Sequence, residues 1–299
     1  MALQTDRALA LLLPFRTCYR LYMAVMGNMR FAPITVRERK GPHDDALEPA
    51  DARATCLGEI YRGAGVFIGF LGVTALVLMI APGALRLDPQ WTLACGIARV
   101  LAIACAPAIA WSVISRAWKD NWVAARAHAE RLRYRQLQEA AEAYQRDPDA
   151  SPLPLVRQLL GLLSGPQGQV AYNRRKRREY TAVLRRTRMA TVVAFVTSLA
   201  GAAAQLVWDE PALLVLTALI PAFVGGLHGV NAFLHIGKHA EDHGRLASQL
   251  DAIREQVLVM QVKCAYEDLA GTAQRTWRLL TGANADWIET ANRQVVTVF

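Results

Sequence analysis

Four long apolar segments constrain the fold of this chain more than any other feature. They cover residues 63–85, 91–115, 189–208 and 212–236, and Arg99 is the only Asp, Glu, Lys or Arg within them. A helix needs about 20 apolar residues to cross a bilayer. Helices of soluble proteins normally keep a polar face, which these segments mostly lack. The pattern therefore predicts four transmembrane helices and disfavours the alternative of four helices buried in a soluble core.

The distribution of charge predicts how these helices are oriented. The chain has 299 residues and a net charge of +9. Residues 116–188 hold 16 basic and 7 acidic residues, whereas the short links at 86–90 and 209–211 are neutral or acidic. Basic loops remain in the cytoplasm. The amino terminus, the 116–188 connector and the carboxyl terminus are therefore predicted to be cytoplasmic, in a multi-pass membrane protein.

The predicted fold class is all-α: four transmembrane helices arranged as two hairpins, with long helices extending into a cytoplasmic helical bundle. Five regions follow: a cytoplasmic segment (1–62), the first hairpin (63–115), a basic helical connector (116–188), the second hairpin (189–236) and C-terminal cytoplasmic helices (237–299).

Three finer expectations concern the helices outside the membrane. A helix unbroken from Trp91 to Tyr144 would be roughly 80 Å long at 1.5 Å per residue. The short apolar piece at 153–163 is expected to lie on the membrane surface or to cap the cytoplasmic helices. Residues 269–299 read as two short helices with Gly282 between them.

A heptad-like stripe follows the fourth span. Its members step by four and three residues, and three histidines extend it backwards toward the membrane: His235, His239, His243, Leu246, Leu250, Ile253, Val257 and Met260. Such a stripe is typical of a helix packed against other helices. It either packs within the subunit or forms a subunit–subunit seam and gate, in which protonation of the histidines would add charge.

Polar residues within the spans are candidates for a pore lining. They are Arg99, Thr191, Ser198, Gln205, Thr217, Pro221, His228, Asn231 and His235. The alternative is hydrogen bonding between helices, which is common in membrane bundles. Arg99 could also extend its side chain to the outer surface. Pro221 could free a backbone carbonyl and act as a hinge.

A basic run precedes the third span: Arg174, Arg175, Lys176, Arg177 and Arg178. Basic residues close to a membrane are attracted to anionic lipid by about 1 kcal/mol each. The run lacks the interleaved aromatic residues that stack on bases. Lipid anchoring is therefore favoured, and nucleic acid is an unfavoured partner.

No pattern in the chain predicts an enzyme. The sequence lacks the phosphate-binding, nucleophile and zinc motifs GxxxxGK[ST], GxGxxG, GxSxG and HExxH. The five cysteines show no metal-ligand spacing. We expect no catalytic residues, no cofactor and no metal site.

One motif follows the first hairpin with the spacing W-x3-R-x2-A-E-x-L-R: Trp122, Arg126, Ala129, Glu130, Leu132 and Arg133. It resembles SLATT-type effector domains, the two-transmembrane modules associated with SMODS and SLOG domains. Weaker similarities lie at Asp51-Ala52, Tyr61-Arg62, Gln169, Tyr172-Asn173, Leu219-Ile220-Pro221-Ala222 and Asp286-Trp287. Over residues 50–299 these pieces resemble the membrane region behind bacterial TRPM-like SLOG domains.

The resemblance implies an effector of a bacterial conflict system. A nucleotide-derived signal, sensed by a SLOG domain or made by a nucleotidyltransferase, would open a pore or disrupt the membrane. Since residues 1–62 are too few for a SLOG sensor, the sensor is expected on a separate chain, or to be absent, or to be replaced by the cytoplasmic helices.

The expected function is thus a homo-oligomeric, gated pore or membrane-perturbing antiviral-defence effector. One rival is a non-conducting scaffold that recruits a cytoplasmic partner. Another is a small oligomeric ion channel or transporter with no defence role. A transporter more often carries acidic residues at mid-depth, and the four spans contain none.

Overall fold

The computed structural model describes residues 12–27, 44–147, 151–208 and 210–293. Those residues form α-helices and one π-helical turn, and no strand is found among them. The helices are α1 (Leu13–Gly27), α2 (Asp44–Ala84), α3 (Pro89–Ser115), α4 (Trp118–Arg146), α5 (Leu153–Leu163), α6 (Gln169–Gln205), α7 (Ile220–Phe233), α8 (Ile236–Lys263) and α9 (Leu269–Arg293). The π-helical turn spans Val215–Leu219 and runs directly into α7.

The two predicted hairpins are confirmed. Four helices are long and apolar enough to cross a membrane, namely α2, α3, α6 and the π-helical turn with α7. They pair as α2 with α3 and α6 with α7. Arg86 and Glu210, which lie in the links that close the two hairpins, are 3.4 Å apart. Large apolar side chains such as Trp111 and Phe195 are about 70% exposed. This all-α architecture is that of a helical membrane protein, not of a soluble core.

The two halves of the chain repeat one order of elements. In each half a long helix (α2 or α6) crosses the membrane, an apolar helix returns, and a polar helix (α4 or α8) follows. Two residues separate the returning helix from the polar helix in each half. The second of them is left-handed, namely Ala117 in the first half and His235 in the second, both with φ 48°. The expectation of a helix unbroken from Trp91 to Tyr144 is therefore wrong.

Pro221 is the second residue of α7, two positions after the end of the π-helical turn. Proline has no N–H, and its ring collides with the carbonyl four residues earlier. Widening the preceding turn to a π-helix accommodates that ring. Thr217, within this turn, donates its hydroxyl hydrogen to the Leu213 carbonyl at 3.2 Å.

Outside the hairpins, the polar parts of the chain form one bundle, which we call the extramembrane bundle. It contains α1, α4, α5, α8, α9 and the N-terminal parts of α2 and α6. The apolar piece at 153–163 forms α5, whose Leu155, Leu159 and Leu163 are fully buried. They pack against α4, α8 and α9, so α5 is part of the bundle core.

The C-terminal region forms one helix and not the two short helices that the sequence predicts. A single helix, α9, runs from Leu269 to Arg293 through Gly282. No neighbouring atom lies within 4 Å of the position that a Cβ would take at Gly282. The residue therefore neither breaks the helix nor allows a close approach.

Candidate functional site

A cavity of about 490 Å³ opens in the extramembrane bundle beside the membrane hairpins. Its walls come from both halves of the chain: α2 and α4 from the first, and α6, α8 and α9 from the second, with Tyr19 of α1. The chemically distinctive lining residues are Tyr19, Asp51, Glu59, Arg62, Trp122, Arg126, Arg133, Tyr172, Arg175, Lys176, Tyr180, His239, His243 and Trp287. The volume falls within the range of roughly 300–1,000 Å³ that is common for small-molecule sites.

A buried ion-pair network fixes the α4 wall of the cavity. The carboxylate of Glu130 is 4% exposed, accepts a hydrogen bond from Arg133 at 2.6 Å and forms an ion pair with Arg126. Arg133 also binds Asp51 of α2 at 2.7 Å. Burial alone would raise the pKa of Glu130, but the two guanidinium groups outweigh it and lower the pKa below its usual range. Glu130 is therefore an anion at neutral pH.

Two further carboxylates hold cations at the cavity. Glu59 of α2 pairs with Arg16 and with Arg20, the latter at 2.9 Å, and so ties α1 to α2. Lys176 of α6 pairs with Glu179 at 2.7 Å. Both carboxylates are mostly buried, so these pairs also order the cavity walls.

Arg62 and Arg175, which also line the cavity, contact aromatic rings and, within the described ranges, no carboxylate. Arg62 donates a hydrogen bond to the Tyr19 hydroxyl at 2.9 Å, and its guanidinium carbon lies 4.7 Å from the centre of the Trp122 ring. Arg175 lies over Tyr172 at 5.8 Å. Among the described residues neither arginine is within ion-pair distance of a carboxylate. Cation–π contacts to Trp and Tyr hold their charges in place without neutralising them.

The side chains of His239 and His243 form the α8 wall, and both lie beside the ring of Tyr180. The centre of the Tyr180 ring is 5.6 Å from that of His239 and 5.7 Å from that of His243. Nδ1 of His243 is 2.6 Å from the Asn173 amide oxygen. Burial, and then the positive charge of Arg62, lowers the pKa of His239 to about 3. Burial, followed by Lys176, Arg126 and Arg62, lowers that of His243 to about 4. Both rings are neutral between pH 5.5 and 8.

The heptad-like stripe faces the interior of the same chain. Leu250 and Val257 are fully buried, and Leu246, Ile253 and Met260 pack on the same clusters. The surrounding helices are α4, α5, α6 and α9. Of the two interpretations, the structure shows packing within the subunit. His235 lies instead at the left-handed break before α8.

Four of the proposed pore-lining residues, Thr191, Ser198, His228 and Asn231, form hydrogen bonds across the second hairpin. Thr191 lies 2.9 Å from Nε2 of His228, and Ser198 donates to the Leu216 carbonyl at 3.0 Å. The Asn231 amide nitrogen donates to Thr187 at 2.7 Å. Gln205 is exposed at the end of α6, Pro221 is exposed in α7, and Arg99 is half-buried on α3. Within one chain these contacts hold α6 and α7 together.

The basic run contributes to two cavities, because all five of its residues line a further cavity of about 1730 Å³ and two of them also line the cavity described above. Five consecutive helical residues point around the whole helix axis. Arg175 and Lys176 line the cavity, whereas Arg174 pairs with Asp251 of α8 at 2.5 Å. Arg177 lies against Gly244 of α8. Arg178 is exposed and lines only the further cavity.

Reasoning from the sequence did not identify the cavity, although it singled out many of its walls. Trp122, Arg126 and Arg133 of the family-like motif line it, and Ala129 and Glu130 are buried behind them. Leu132 is half-buried on the same helix. The weaker pieces also supply lining residues: Asp51, Arg62, Gln169, Tyr172 and Trp287.

A signal for the α2 wall was present in the sequence. Asp51, Thr55, Gly58 and Arg62 recur every three or four residues, which places them on one helix face. A Cβ at Gly58 would lie 2.5 Å from Nε1 of Trp122. The glycine thus lets α4 approach α2 closely at the cavity.

No protein-family model, curated protein or solved structure matches this chain. The class of protein is therefore defined by the structure alone. It is a multi-pass helical membrane protein with a basic, aromatic-walled cavity in its extramembrane bundle.

Proposed function

We propose that this protein is a gated membrane effector, which opens a pore or perturbs the bilayer in response to a cytoplasmic signal. The observation that supports this most is the continuity of α2 and α6. Each helix contributes to the cavity wall, through Arg62 and Tyr180 among others, and continues without interruption into the membrane. A change in the cavity that moves either helix is passed directly to its hairpin.

In this proposal the extramembrane bundle and both termini are cytoplasmic, because the basic excess lies in residues 116–188. The membrane is the bacterial inner membrane. The protein acts in a conflict system, where a nucleotide-sensing SLOG protein or a nucleotidyltransferase is the source of the signal. This last step rests on the resemblance to SLATT-type effectors.

The conducting path is proposed to form between copies of the chain. Within one chain, the polar groups of the second hairpin are engaged with one another, as in the Thr191–His228 contact. The exposed apolar faces of α3 and α6 supply surfaces for lipid or for a second copy. The rival, a non-conducting scaffold, would need the same hairpins only as an anchor.

Release of ions and dye from liposomes containing the purified chain tests this function. We expect release when a trigger is present. We expect Thr217→Val and His228→Ala to change its rate by about 5- to 30-fold, which corresponds to a barrier change of about 1–2 kcal/mol on loss of one polar contact. The matched control is Thr281→Val on α9 of the bundle, which should leave release unchanged. Absence of release with bacterial lysate, pyrophosphate or AMP as triggers would favour the scaffold.

A further inference from the structure

We propose that the cavity binds a phosphate-bearing anion, held by Arg62, Arg175 and Lys176. Only the consequence of binding, which is gating, rests on the proposed function. Binding itself can be measured without any conductance. It is carried by three properties of the site: its charge, the position of its free cations and its size.

The first property is an uncompensated positive charge. Seven cations line the cavity or pair with carboxylates there, namely Arg16, Arg20, Arg62, Arg126, Arg133, Arg175 and Lys176. Four carboxylates oppose them: Asp51, Glu59, Glu130 and Glu179. The described residues therefore leave three positive charges in excess, and His239 and His243 are neutral. Excess charge in a partly enclosed site is costly unless an opposite charge enters.

The second property is where the excess lies. Arg126 and Arg133 are satisfied by Asp51 and Glu130. Arg62 and Arg175 keep free donors, and they come from α2 and α6 respectively. A guanidinium group offers paired N–H donors that match phosphate oxygens. One anion bound to both arginines would join the two long helices that enter the membrane.

The third property is size. About 490 Å³ is considerably more than one phosphate group fills. Three excess charges match a phosphate, which carries up to two negative charges at neutral pH, better than a single carboxylate. The remaining volume can hold the organic part of the ligand, beside Trp287 and Tyr172.

Two sources share this chemistry. One is a soluble phosphorylated molecule that enters from the aqueous side. The other is the headgroup of an anionic phospholipid, because Arg62 immediately precedes the uncharged span that begins at Gly63. The experiment therefore needs one arm for each source.

In the first arm, pyrophosphate and AMP are titrated into the purified full chain in a neutral detergent, with calorimetry as the readout. In the second arm, the melting temperature is compared in nanodiscs of phosphatidylcholine alone and of phosphatidylcholine with phosphatidylglycerol. The test variants are Arg62→Gln and Arg175→Gln. The control is Arg131→Gln, which removes an exposed arginine of α4 that does not line the cavity.

We expect each test variant to weaken binding by about tenfold or more, as for loss of a charge-assisted hydrogen bond. Arg131→Gln should change it by less than about twofold, because exposed charges act weakly across bulk solvent. Binding of pyrophosphate or AMP with this pattern identifies a soluble ligand. Stabilisation by phosphatidylglycerol alone, lost in both test variants, identifies a lipid headgroup.

Absence of both effects in the unmodified chain would overturn the inference, as would an equal loss in Arg131→Gln. Arg175 is exposed, so its variant keeps the test decisive even if Arg62→Gln does not fold. Binding of the anion without release of ions or dye from liposomes would contradict the gating function but not the proposed binding site. Liposome release without binding would contradict the site alone.

Discussion

The role of each charged residue in this protein depends on which helix face carries it. The five residues 174–178 share one charge and one helix, yet Arg175 and Lys176 reach the cavity and Arg174 binds Asp251. Net charge predicted the orientation of the chain, because that argument needs only the position of the residue along the sequence. It could not predict the cavity, which depends on the rotation of α6 relative to α2 and α4.

The buried histidines predict that stability falls in mild acid. A free histidine has a pKa of 6.5, whereas the pKa of His239 is about 3 and that of His243 about 4. Below pH 6.5 the unfolded chain takes up protons that the folded chain does not, so stability is complete above pH 6.5 and is lost as the pH falls toward these values. We expect a loss of about 2 kcal/mol for each histidine between pH 8 and pH 5.

Thermal unfolding across that pH range measures the effect. The double variant His239→Gln, His243→Gln should have a smaller pH dependence than the unmodified chain. His128→Gln, at an exposed position of α4, serves as the control and should keep the original slope. An equal slope in the double variant would show that other groups cause the acid sensitivity.

At the scale of helices, the four spans could be predicted because long uncharged stretches leave few alternatives. The break between α3 and α4 could not. Ala117 adopts φ 48°, a conformation in which alanine costs about 1–2 kcal/mol and which no local sequence preference indicates. Packing of Trp118 and Trp122 into the core of α2, α3 and α9 stabilises the bend.

The contact between α1 and α2 depends on Gly63. A Cβ at this position would lie 1.8 Å from the Phe15 carbonyl oxygen, a backbone atom that cannot rotate away. Gly63→Ala must therefore displace α1, and we expect a loss of about 2–3 kcal/mol, as for other overpacked core positions. It should also weaken the Arg16–Glu59 and Arg20–Glu59 pairs that join the two helices.

Gly72 on the same helix provides the matched control. No neighbouring atom lies within 4 Å of its Cβ position, so Gly72→Ala should be neutral or should stabilise the helix by about 0.5–1 kcal/mol. Unfolding by heat in detergent compares the two variants. If both change the melting temperature by the same amount and in the same direction, the close approach of α1 is not the cause.

At the scale of the whole molecule, the two halves place equivalent helices around one cavity. The long helices α2 and α6 form two walls, and the polar helices α4 and α8, which follow the left-handed residues, form two more. The sequence predicted both hairpins and most of the polar helices, because each follows from local periodicity. It could not show that the halves meet at Arg62, Trp122 and His239, since those contacts join positions far apart in the chain.

The orientation of this assembly gives a prediction for the intact membrane. The outer links contain exposed Asp88 and Glu210, whereas exposed Glu139 lies on α4 of the bundle. Single cysteines at these sites, in a chain whose native cysteines are replaced by alanine, can be labelled with a membrane-impermeant maleimide. The positive-inside rule predicts that the basic connector is cytoplasmic, so we expect Asp88→Cys and Glu210→Cys to react in spheroplasts.

Glu139→Cys should react only after the membrane is permeabilised. Since all three sites are exposed, a difference in labelling reports the side of the membrane and not burial in the protein. Reaction of Glu139→Cys alone in sealed spheroplasts would place the cavity outside the cell. The ligand of the cavity would then have to be an extracellular anion or an outer-leaflet lipid, and a cytoplasmic signal could no longer act through Arg62 and Arg175.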